Sequence, residues 1–122
     1  MVVDLGLEKN ITMVPNATFD EILKSLSESM IYLHTMHGEH FGVSIIQAMA
    51  AGLVPIVPSY GGCSEFVPLN YQYKDIRDAA NYILKAIDNY NPEIREHIHN
   101  IAKNFSSSEF RKQMQDYIKQ II

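Results

Sequence analysis

Glu39 is the residue whose type and position most directly suggest chemistry. It lies in a polar loop, His34 to His40, that leads into a segment with helical periodicity. The opening amides of that helix, at residues 42–44, have no partner within the helix, and the helix dipole adds positive charge there, so this end suits a phosphate. A carboxylate beside it repels phosphate but accepts hydrogen bonds from hydroxyl groups. A sugar attached to a phosphate would satisfy both groups, although an acid at a helix start is also common as a simple cap.

Glycines at two further positions let a ligand approach the backbone near this loop. Gly42 stands at the start of the helix, and Gly61-Gly62 forms a predicted turn after the next strand. Glycine carries no side chain that would exclude a ligand, and it adopts turns that other residues resist. Glu65, which follows the turn, either contacts the ligand or holds the turn by hydrogen bonds, and the sequence leaves both interpretations open.

Three histidines near Glu39 raise the question of a metal site. His34, His37 and His40 follow one another at intervals of three in a loop and lack an ordered motif such as H-E-x-x-H, so we expect neither a metal nor another cofactor. His34, at the end of a predicted strand, is either part of a binding pocket or a half-buried imidazole with its own partners. Cys63 has no base beside it in the sequence, which favours a structural thiol over a nucleophile.

Hydrophobic periodicity predicts short strands that alternate with helices. Short continuous apolar runs favour buried strands, whereas apolar residues three and four positions apart favour helices. Capping patterns mark three helix starts, at Thr18-Phe-Asp-Glu21, Asn91-Pro92 and Ser106-Ser-Ser-Glu109, and Gly52 marks a helix end. The predicted strands are residues 11–14, 30–33 and 53–57, and the predicted helices are residues 19–28, residues 41–51 and the helical region from residue 75 onward.

This order of elements predicts an α/β fold with a Rossmann-like, three-layer parallel sheet followed by C-terminal helices. Ligands of such sheets bind outside the carboxyl ends of the strands, where both His34–His40 and Gly61-Gly62 lie. Three strands are few for a doubly wound domain, which usually has five or six. We therefore expect residues 1–122 to form a single domain that is truncated at its start, with an edge strand that is free to pair with a second copy.

Composition and charge narrow the class of function. The chain has 122 residues, 47% of them hydrophobic, which suffices for one core. Ten basic and fourteen acidic residues give a net charge of −4 without a basic stripe, so nucleic acid is not an expected partner. The single cysteine fits a reducing compartment, and no apolar run approaches the ~20 residues of a transmembrane helix. We expect a soluble, cytoplasmic chain.

The motifs around Glu39 together resemble the donor-site signature of family 4 glycosyltransferases, which have the GT-B fold. That family typically reads E-x-F-G-x-x-x-x-E-A-M-A-x-G, followed by P-V-V and G-G-x-x-E. The resemblance implies that the chain is the donor-binding, C-terminal domain of such an enzyme. The matching segments, in the same order and register, are Glu39-His-Phe-Gly42, Gln47-Ala-Met-Ala-Ala-Gly52, Pro55-Ile-Val57 and Gly61-Gly-x-x-Glu65.

The resemblance also implies a role for each matched residue. Glu39 would be the catalytic-site carboxylate that holds hydroxyls of the donor sugar, and the amides of Phe41, Gly42 and Val43 would face the sugar and its diphosphate. Gln47 stands where the family has a glutamate that grips the ribose, and glutamine keeps the acceptor oxygen but loses the charge. The other expected donor-binding residues are His34, Gly61, Gly62 and Glu65.

The implied reaction is a retaining transfer of a hexose from a GDP- or UDP-sugar to a glycan or lipid-linked acceptor. It needs no protein nucleophile, because the helix amides hold the departing diphosphate, whose oxygen takes the proton of the acceptor. More narrowly, His34-Thr-Met-x-x-Glu39-His-Phe-Gly42 is similar to the α-1,2-mannosyltransferases that extend lipid-linked oligosaccharides with GDP-mannose. This similarity favours mannose as the sugar.

The chain departs from the family pattern in its basic residues. Family members carry an Arg and a Lys ahead of the motif that neutralise the diphosphate, but the only basic residues before Glu39 are Lys9 and Lys24, and neither has that placement. We therefore expect a partial donor domain that lacks the N-terminal acceptor domain and does not turn over by itself, with any membrane association residing in the longer parent. The alternatives are a non-catalytic module that binds sugar nucleotides or phosphate and an interaction domain that pairs through its edge strand.

Overall fold

Strands and helices alternate along the chain from residue 19 to residue 89. The computed structural model describes residues 1–122. The strands are β1 (Ile31–Leu33), β2 (Val54–Pro58) and β3 (Gln72–Tyr73), and the helices are α1 (Phe19–Glu28), α2 (Val43–Ala50), α3 (Ile76–Asn89), α4 (Pro92–Lys103) and α5 (Ser107–Ile121). Short 3-10 helices cover Gly62–Glu65 and Leu69–Tyr71.

The sheet is parallel and has the order β1-β2-β3, so β2 is central. Ile31 lies opposite Val54, and Val57 lies opposite Gln72. All five residues of β2 are buried, as expected for a strand covered on both faces. Pro55 is part of this central strand although proline cannot donate to the ladder, which makes β2 an exception to the usual confinement of proline to edge strands.

The predicted strand at residues 11–14 is wrong, because this segment makes no ladder with β1 or any other strand. Its apolar side chains Ile11, Met13 and Val14 are exposed. A strand is stabilised by hydrogen bonds to a neighbour, and nothing pairs with the outer edge of β1. The third strand is instead Gln72–Tyr73, and the exposed edge is that of β1.

Side chains of β2 alternate between two cores, and this alternation confirms the three-layer α/β fold. Val57 packs with Ile45 and Met49 of α2 and with Ile98 of α4. On the other face, Val54 and Ile56 pack in a second cluster with Tyr73 of β3 and with Ala79 and Ala86 of α3. Helices therefore cover both faces of the sheet, as in other open parallel sheets.

The helix starts are capped at the predicted residues. The Thr18 hydroxyl accepts a hydrogen bond from the Glu21 amide, and the Glu21 carboxylate accepts one from the Thr18 amide. Asn91 caps α4 and Ser106 caps α5 through their side-chain oxygens. The predicted start of α2 at residue 41 was too early, because Gly42 has a φ of 94° and a left-handed residue cannot continue a right-handed helix.

The first and last helices contribute no buried residue. Their apolar side chains, including Phe19 of α1 and Phe110 of α5, are exposed. None of the helices combines the length and the apolar character needed to cross a lipid bilayer.

Candidate functional site

The carboxyl ends of β1 and β2 bring two loops together beside the start of α2. His34 follows the last residue of β1, and the loop from there reaches Glu39 and Gly42. The turn at Gly61-Gly62 follows β2 and packs against the same loop. The structure thus places His34, Glu39, Gly42, Gly61 and Gly62 in one region.

The start of α2 presents free backbone donors. The amides of Ile45 and Ile46 both donate to the carbonyl of Gly42, whereas those of Gly42, Val43 and Ser44 donate to no group in the chain. No side chain caps this end of the helix. Unpaired amides at the positive end of a helix dipole favour binding of an anion.

Glu39 lies beside these amides, and its carboxylate is held within the loop. Oε1 accepts a hydrogen bond from the Phe41 amide at 3.4 Å, and Oε2 lies 3.5 Å from Nε2 of His34. The side chain is about one-fifth exposed, at 21%, so a ligand can still reach it. Because Oε2 makes no hydrogen bond, it can accept one from a bound hydroxyl.

His34 is buried and rigidly anchored. Its backbone amide donates to the carbonyl of Ile56, and its carbonyl accepts a hydrogen bond of 2.9 Å from the Tyr73 hydroxyl. Its ring stacks near that of Tyr32, with centroids 6.2 Å apart, and Nε2 makes no hydrogen bond. His34 is thus buried against Glu39, and its place in a donor pocket stays a prediction.

Tyr73 and Tyr32 are supporting residues that the sequence pattern does not reveal. Tyr73, on β3, donates from its hydroxyl across β2 to the His34 carbonyl. Burial raises the pKa of the Tyr73 hydroxyl. Tyr32 donates to the Ser44 hydroxyl at 3.0 Å and so links β1 to the first turn of α2. Both contacts join residues distant in sequence, and local periodicity carries no signal for them.

The Gly61-Gly62 turn supports the Glu39 loop by close backbone contact. The Gly62 amide donates to the Glu39 carbonyl at 2.8 Å. A Cβ on Gly61 would lie 2.7 Å from that carbonyl oxygen, and one on Gly62 would overlap the His40 carbonyl. Only glycine fits at either position, and the turn fixes the backbone that carries Glu39.

Several predicted site residues lie away from this cluster or face elsewhere. The Phe41 ring packs against Phe66 and Phe105, with centroids 5.7 Å from each. Glu65 is exposed and makes no hydrogen bond, and the Ser64 hydroxyl holds the Gly61 carbonyl instead. The idea that Glu65 holds the turn is therefore wrong.

Gln47 lies on an exposed face of α2 and lines a separate groove of about 800 Å³ between α1, α2 and α4. The groove combines apolar side chains of α1 with polar groups of α4. Its other lining residues include Phe19, Ile22, Leu23, Leu26, Gly52, Arg95 and His99. Gln47 therefore does not share the cluster around Glu39.

Cys63 is fully buried below the glycine turn. Burial raises the pKa of its thiol, and the nearby Glu39 carboxylate acts in the same direction. A neutral, inaccessible thiol is a poor nucleophile, in keeping with a structural role. No three His, Cys, Asp or Glu side chains lie close enough together to hold a metal ion.

Comparison with known proteins places this chain in a family. Residues 1–105 match the family described as Glycosyl transferases group 1, and the chain belongs to that family. Its open α/β sheet and free helix start are features of that class of fold.

Within the family, the chain is similar to proteins named GDP-Man:Man(3)GlcNAc(2)-PP-Dol alpha-1,2-mannosyltransferase. The protein of Dictyostelium discoideum is 28% identical over 125 residues, a match that covers 98% of this chain and 25% of that protein. The protein of Xenopus tropicalis is 32% identical over 78% of this chain and 22% of its own length. That of Mus musculus is 44% identical over 48% of this chain and 12% of its own length. The chain thus spans a quarter or less of these relatives.

Proposed function

We propose that the chain forms the donor-binding part of a retaining glycosyltransferase that moves a hexose from a sugar nucleotide to a glycan or lipid-linked acceptor. The observation that carries this proposal is the position of Glu39 beside the unpaired amides of Val43 and Ser44. The amides favour a diphosphate, and the carboxylate favours sugar hydroxyls. A glycosyl diphosphate carries both groups in one ligand. Membership of the glycosyl transferases group 1 supports the same conclusion.

Each residue of the site has a part in this proposal. Glu39 orients the sugar, and the unpaired amides of Gly42 and Val43 face the diphosphate, whereas the Phe41 amide is engaged by the Glu39 carboxylate. Gln47 lines a groove separate from the Glu39 cluster, and its contact with the ribose through the amide oxygen stays a prediction from the family resemblance. His34, Gly61, Gly62 and Glu65 complete the donor site, the two glycines by supporting the Glu39 loop.

The proposed chemistry needs no protein nucleophile. The bond between the anomeric carbon and the diphosphate oxygen breaks, and the acceptor oxygen bonds to the same face of that carbon. The acceptor's hydroxyl proton passes to the departing diphosphate oxygen. Negative charge grows on the diphosphate as it leaves, and the amides at the start of α2 stabilise that charge.

We further propose GDP-mannose as the donor. The relatives named above carry GDP-Man in their names, and the resemblance around His34 and Glu39 supports the same choice. The acceptor site and the basic residues that neutralise the diphosphate are proposed to lie in a parent protein that includes an N-terminal domain. The single free cysteine, Cys63, supports a cytoplasmic location for the donor site.

The proposal is tested by calorimetric titration of the chain with GDP-mannose, UDP-glucose and GDP. We expect weak binding, with a Kd on the order of millimolar, because the basic residues proposed to neutralise the diphosphate are not among those of this chain. Glu39→Gln removes the charge that strengthens a hydrogen bond to a sugar hydroxyl, and about tenfold of the affinity for GDP-mannose should be lost. GDP, which has no hexose, should bind the variant as it binds the original chain. Chelation of divalent metal with EDTA should leave all affinities unchanged.

A matched control is Glu93→Gln, in the first turn of α4. The start of α4 lies at the far end of α2 from Glu39, as the contact of Arg95 with Gly52 shows. Glu93→Gln should therefore bind sugar nucleotides like the original chain. Absence of any sugar-nucleotide binding, or equal binding of GDP-mannose by the Glu39 and Glu93 variants, would count against the proposal.

A second candidate function is protein interaction through exposed apolar surface. The observation in its favour is that the β1 edge and the apolar side of α1 are uncovered. In that case sedimentation equilibrium would show concentration-dependent dimers, and sugar nucleotides would change neither the dimerisation nor the heat signal.

A further inference from the structure

A further groove, the α4–α5 groove, opens between the start of α2 and the junction of α4 with α5. Its volume of about 930 Å³ lies within the size range of small-molecule sites, about 300–1,000 Å³. Phe41 lines it at the α2 end and directly precedes Gly42, whose amide is free. No other residue of the proposed donor site lines this groove. The groove therefore borders the donor site without being part of it.

Three phenylalanine rings line the α4–α5 groove, and two of them are anchored to the core. Phe105 packs against Phe66, with ring centroids 5.1 Å apart, and Phe41 packs against both. Phe66 in turn packs against the hydrophobic cluster on the α2 side of β2. Phe41 and Phe105 nevertheless remain 46% and 39% exposed, and Phe110 is 63% exposed. Contiguous exposed apolar surface of this kind commonly marks a binding site.

Polar side chains with unused hydrogen-bonding capacity line the same groove. Ser107 and Arg111 lie four positions apart and so share one face of α5. The side chains of Asn104, Ser107 and Arg111 make no hydrogen bond or ion pair with the rest of the chain. Gln113 donates to Glu109 at 3.0 Å, which fixes its amide group and leaves the amide oxygen free. The groove thus offers donors and acceptors beside aromatic rings, and no carboxylate lines it.

The combination of aromatic rings and free polar side chains suits a saccharide. One face of a pyranose ring carries C–H groups that can pack on an aromatic ring, and its edge carries hydroxyls that both donate and accept hydrogen bonds. A purely apolar ligand would leave the polar side chains of the groove without partners. A cationic ligand would meet Arg111 and no compensating carboxylate.

We infer that the α4–α5 groove binds a sugar residue of the acceptor, at a subsite separate from that of the donor. Donor and acceptor sites must be neighbours, because the acceptor hydroxyl has to reach the anomeric carbon of the donor sugar. Phe41 joins the two sites, since its ring lines the groove and its backbone leads into the free amides at the start of α2. The inference rests on the proposed function and extends it to the acceptor.

The test is an NMR titration that follows the backbone amides of the chain. The chain is titrated separately with three neutral saccharides, namely mannotriose, chitobiose and maltotriose, and with GDP-mannose. At least one saccharide should shift the amides of residues 104–113, with a Kd on the order of millimolar. GDP-mannose should shift the amides of residues 42–44 instead.

Two variants change the groove and leave the core intact, because α5 contributes no buried residue. Phe110→Ala should weaken binding of that saccharide about fivefold, the size of one aromatic contact. Arg111→Gln should weaken it about threefold, since glutamine keeps an N–H donor but loses the charge. The matched controls are Phe19→Ala, at an exposed phenylalanine at the start of α1, and Lys112→Gln, next to Arg111 but outside the groove. Both controls should bind the saccharide like the original chain.

The inference is overturned if no saccharide shifts the groove amides at tens of millimolar, or if Phe110→Ala binds the saccharide like the original chain. Stronger shifts with inorganic phosphate than with any saccharide would also overturn it and would identify an anion site at Arg111. Shifts of α5 amides that follow protein concentration alone would mean that a second copy covers the groove. In each of these cases GDP-mannose can still bind at residues 42–44, so the proposed function stands. Saccharide binding without any GDP-mannose binding would contradict both the proposed function and the assignment of the groove to an acceptor.

Discussion

Gly61 and Gly62 show how two residues without side chains shape the site at the residue scale. Both lie against the backbone carbonyls of the loop that carries Glu39. The Gly62 amide also donates to the Glu39 carbonyl. The G-G-x-x-E motif therefore acts here through main-chain packing. Its glycines need no contact with a ligand to matter.

Gly62→Ala should disrupt this packing. The added methyl group overlaps the His40 carbonyl, which belongs to the backbone and cannot rotate away. We expect a loss of about 2–3 kcal/mol in the free energy of unfolding, within the range for overpacking, measured by urea denaturation. Binding of GDP-mannose should weaken as well, since the Glu39 loop must move.

Gly38→Ala is the matched control for this change. Gly38 has a φ of 76° but open space around its Cβ position, so alanine adds only the cost of a left-handed backbone, about 1–2 kcal/mol. If Gly62→Ala were no more destabilising than Gly38→Ala, the packing of the turn on the loop would not have the importance argued here.

The buried thiol and phenol predict how stability changes at alkaline pH. Burial raises the pKa of Cys63 above its ordinary 9.0 and that of Tyr73 above its ordinary 10.0. In the unfolded chain both groups lose their protons at lower pH than in the folded protein, so the folded state binds more protons. The contribution of these two protonated groups to the free energy of unfolding is full below the pKa values that they have in the unfolded chain. It is lost as the pH rises through the pKa values that they have in the folded protein.

Urea denaturation between pH 8 and pH 11 should therefore show the free energy of unfolding falling with pH. Cys63→Ala removes one of the two groups, and its curve should fall less steeply over this range, whatever the cost of the cavity at neutral pH. If the free energy of unfolding fell equally steeply with pH for the original chain and for Cys63→Ala, the thiol would not contribute to the pH dependence of stability.

At the scale of elements, the helices differ in how firmly they join the core. α2 and α4 contain the fully buried Ile45, Met49 and Ile98, whereas α1 contains no buried residue. Both α1 and α4 begin with a side-chain cap, at Thr18 and Asn91. A cap stabilises the folded state as a whole only if its helix is part of the cooperative core.

Asn91→Ala should lower the free energy of unfolding by about 1 kcal/mol, the usual value of an N-cap. Thr18→Ala removes an equivalent cap and should reduce the helical circular-dichroism signal without moving the urea midpoint, because α1 can fray on its own. Equal shifts in the midpoint for the two variants would mean that α1 unfolds together with the core.

At the scale of the whole molecule, we expect the backbone amides near the two hydrophobic clusters on the faces of β2 to be the best protected from hydrogen exchange. Most of the fully buried side chains lie within residues 45–57, whereas α5, like α1, exposes its apolar face. Opening of a segment costs little where few buried contacts must be broken. The site at the start of α2 is therefore attached to the most stable part of the fold.

Native-state hydrogen exchange followed by mass spectrometry should show this order. Amides of β2, α2 and α4 should exchange slowest, and those of residues 1–28 and α5 earliest. The measurement is repeated at two protein concentrations, since protection of α1 that grows with concentration would reveal a second copy covering its apolar side. Slow exchange of α1 at all concentrations would contradict the order.

The amino-acid sequence by itself determined the elements whose signals are local. Helix α1 was predicted with its observed bounds, since its capping box and its apolar spacing involve residues three or four positions apart. The strands β1 and β2 were predicted within a residue or two from short continuous apolar runs, although only β2 is fully buried and β1 is a partly exposed edge strand. The order of Glu39, Gly42 and the glycine turn, and with it the family, also came from the sequence.

Tertiary structure alone decided everything that depends on a distant partner. The run at residues 11–14 has the composition of a strand, but a strand needs a neighbour to satisfy its hydrogen bonds, and none pairs with it. Gln72 and Tyr73 have little strand character and pair because folding brings them beside β2. The contact between His34 and Glu39 depends on bonds to Ile56, Tyr73 and Gly62, and such long-range contacts leave no trace in local periodicity.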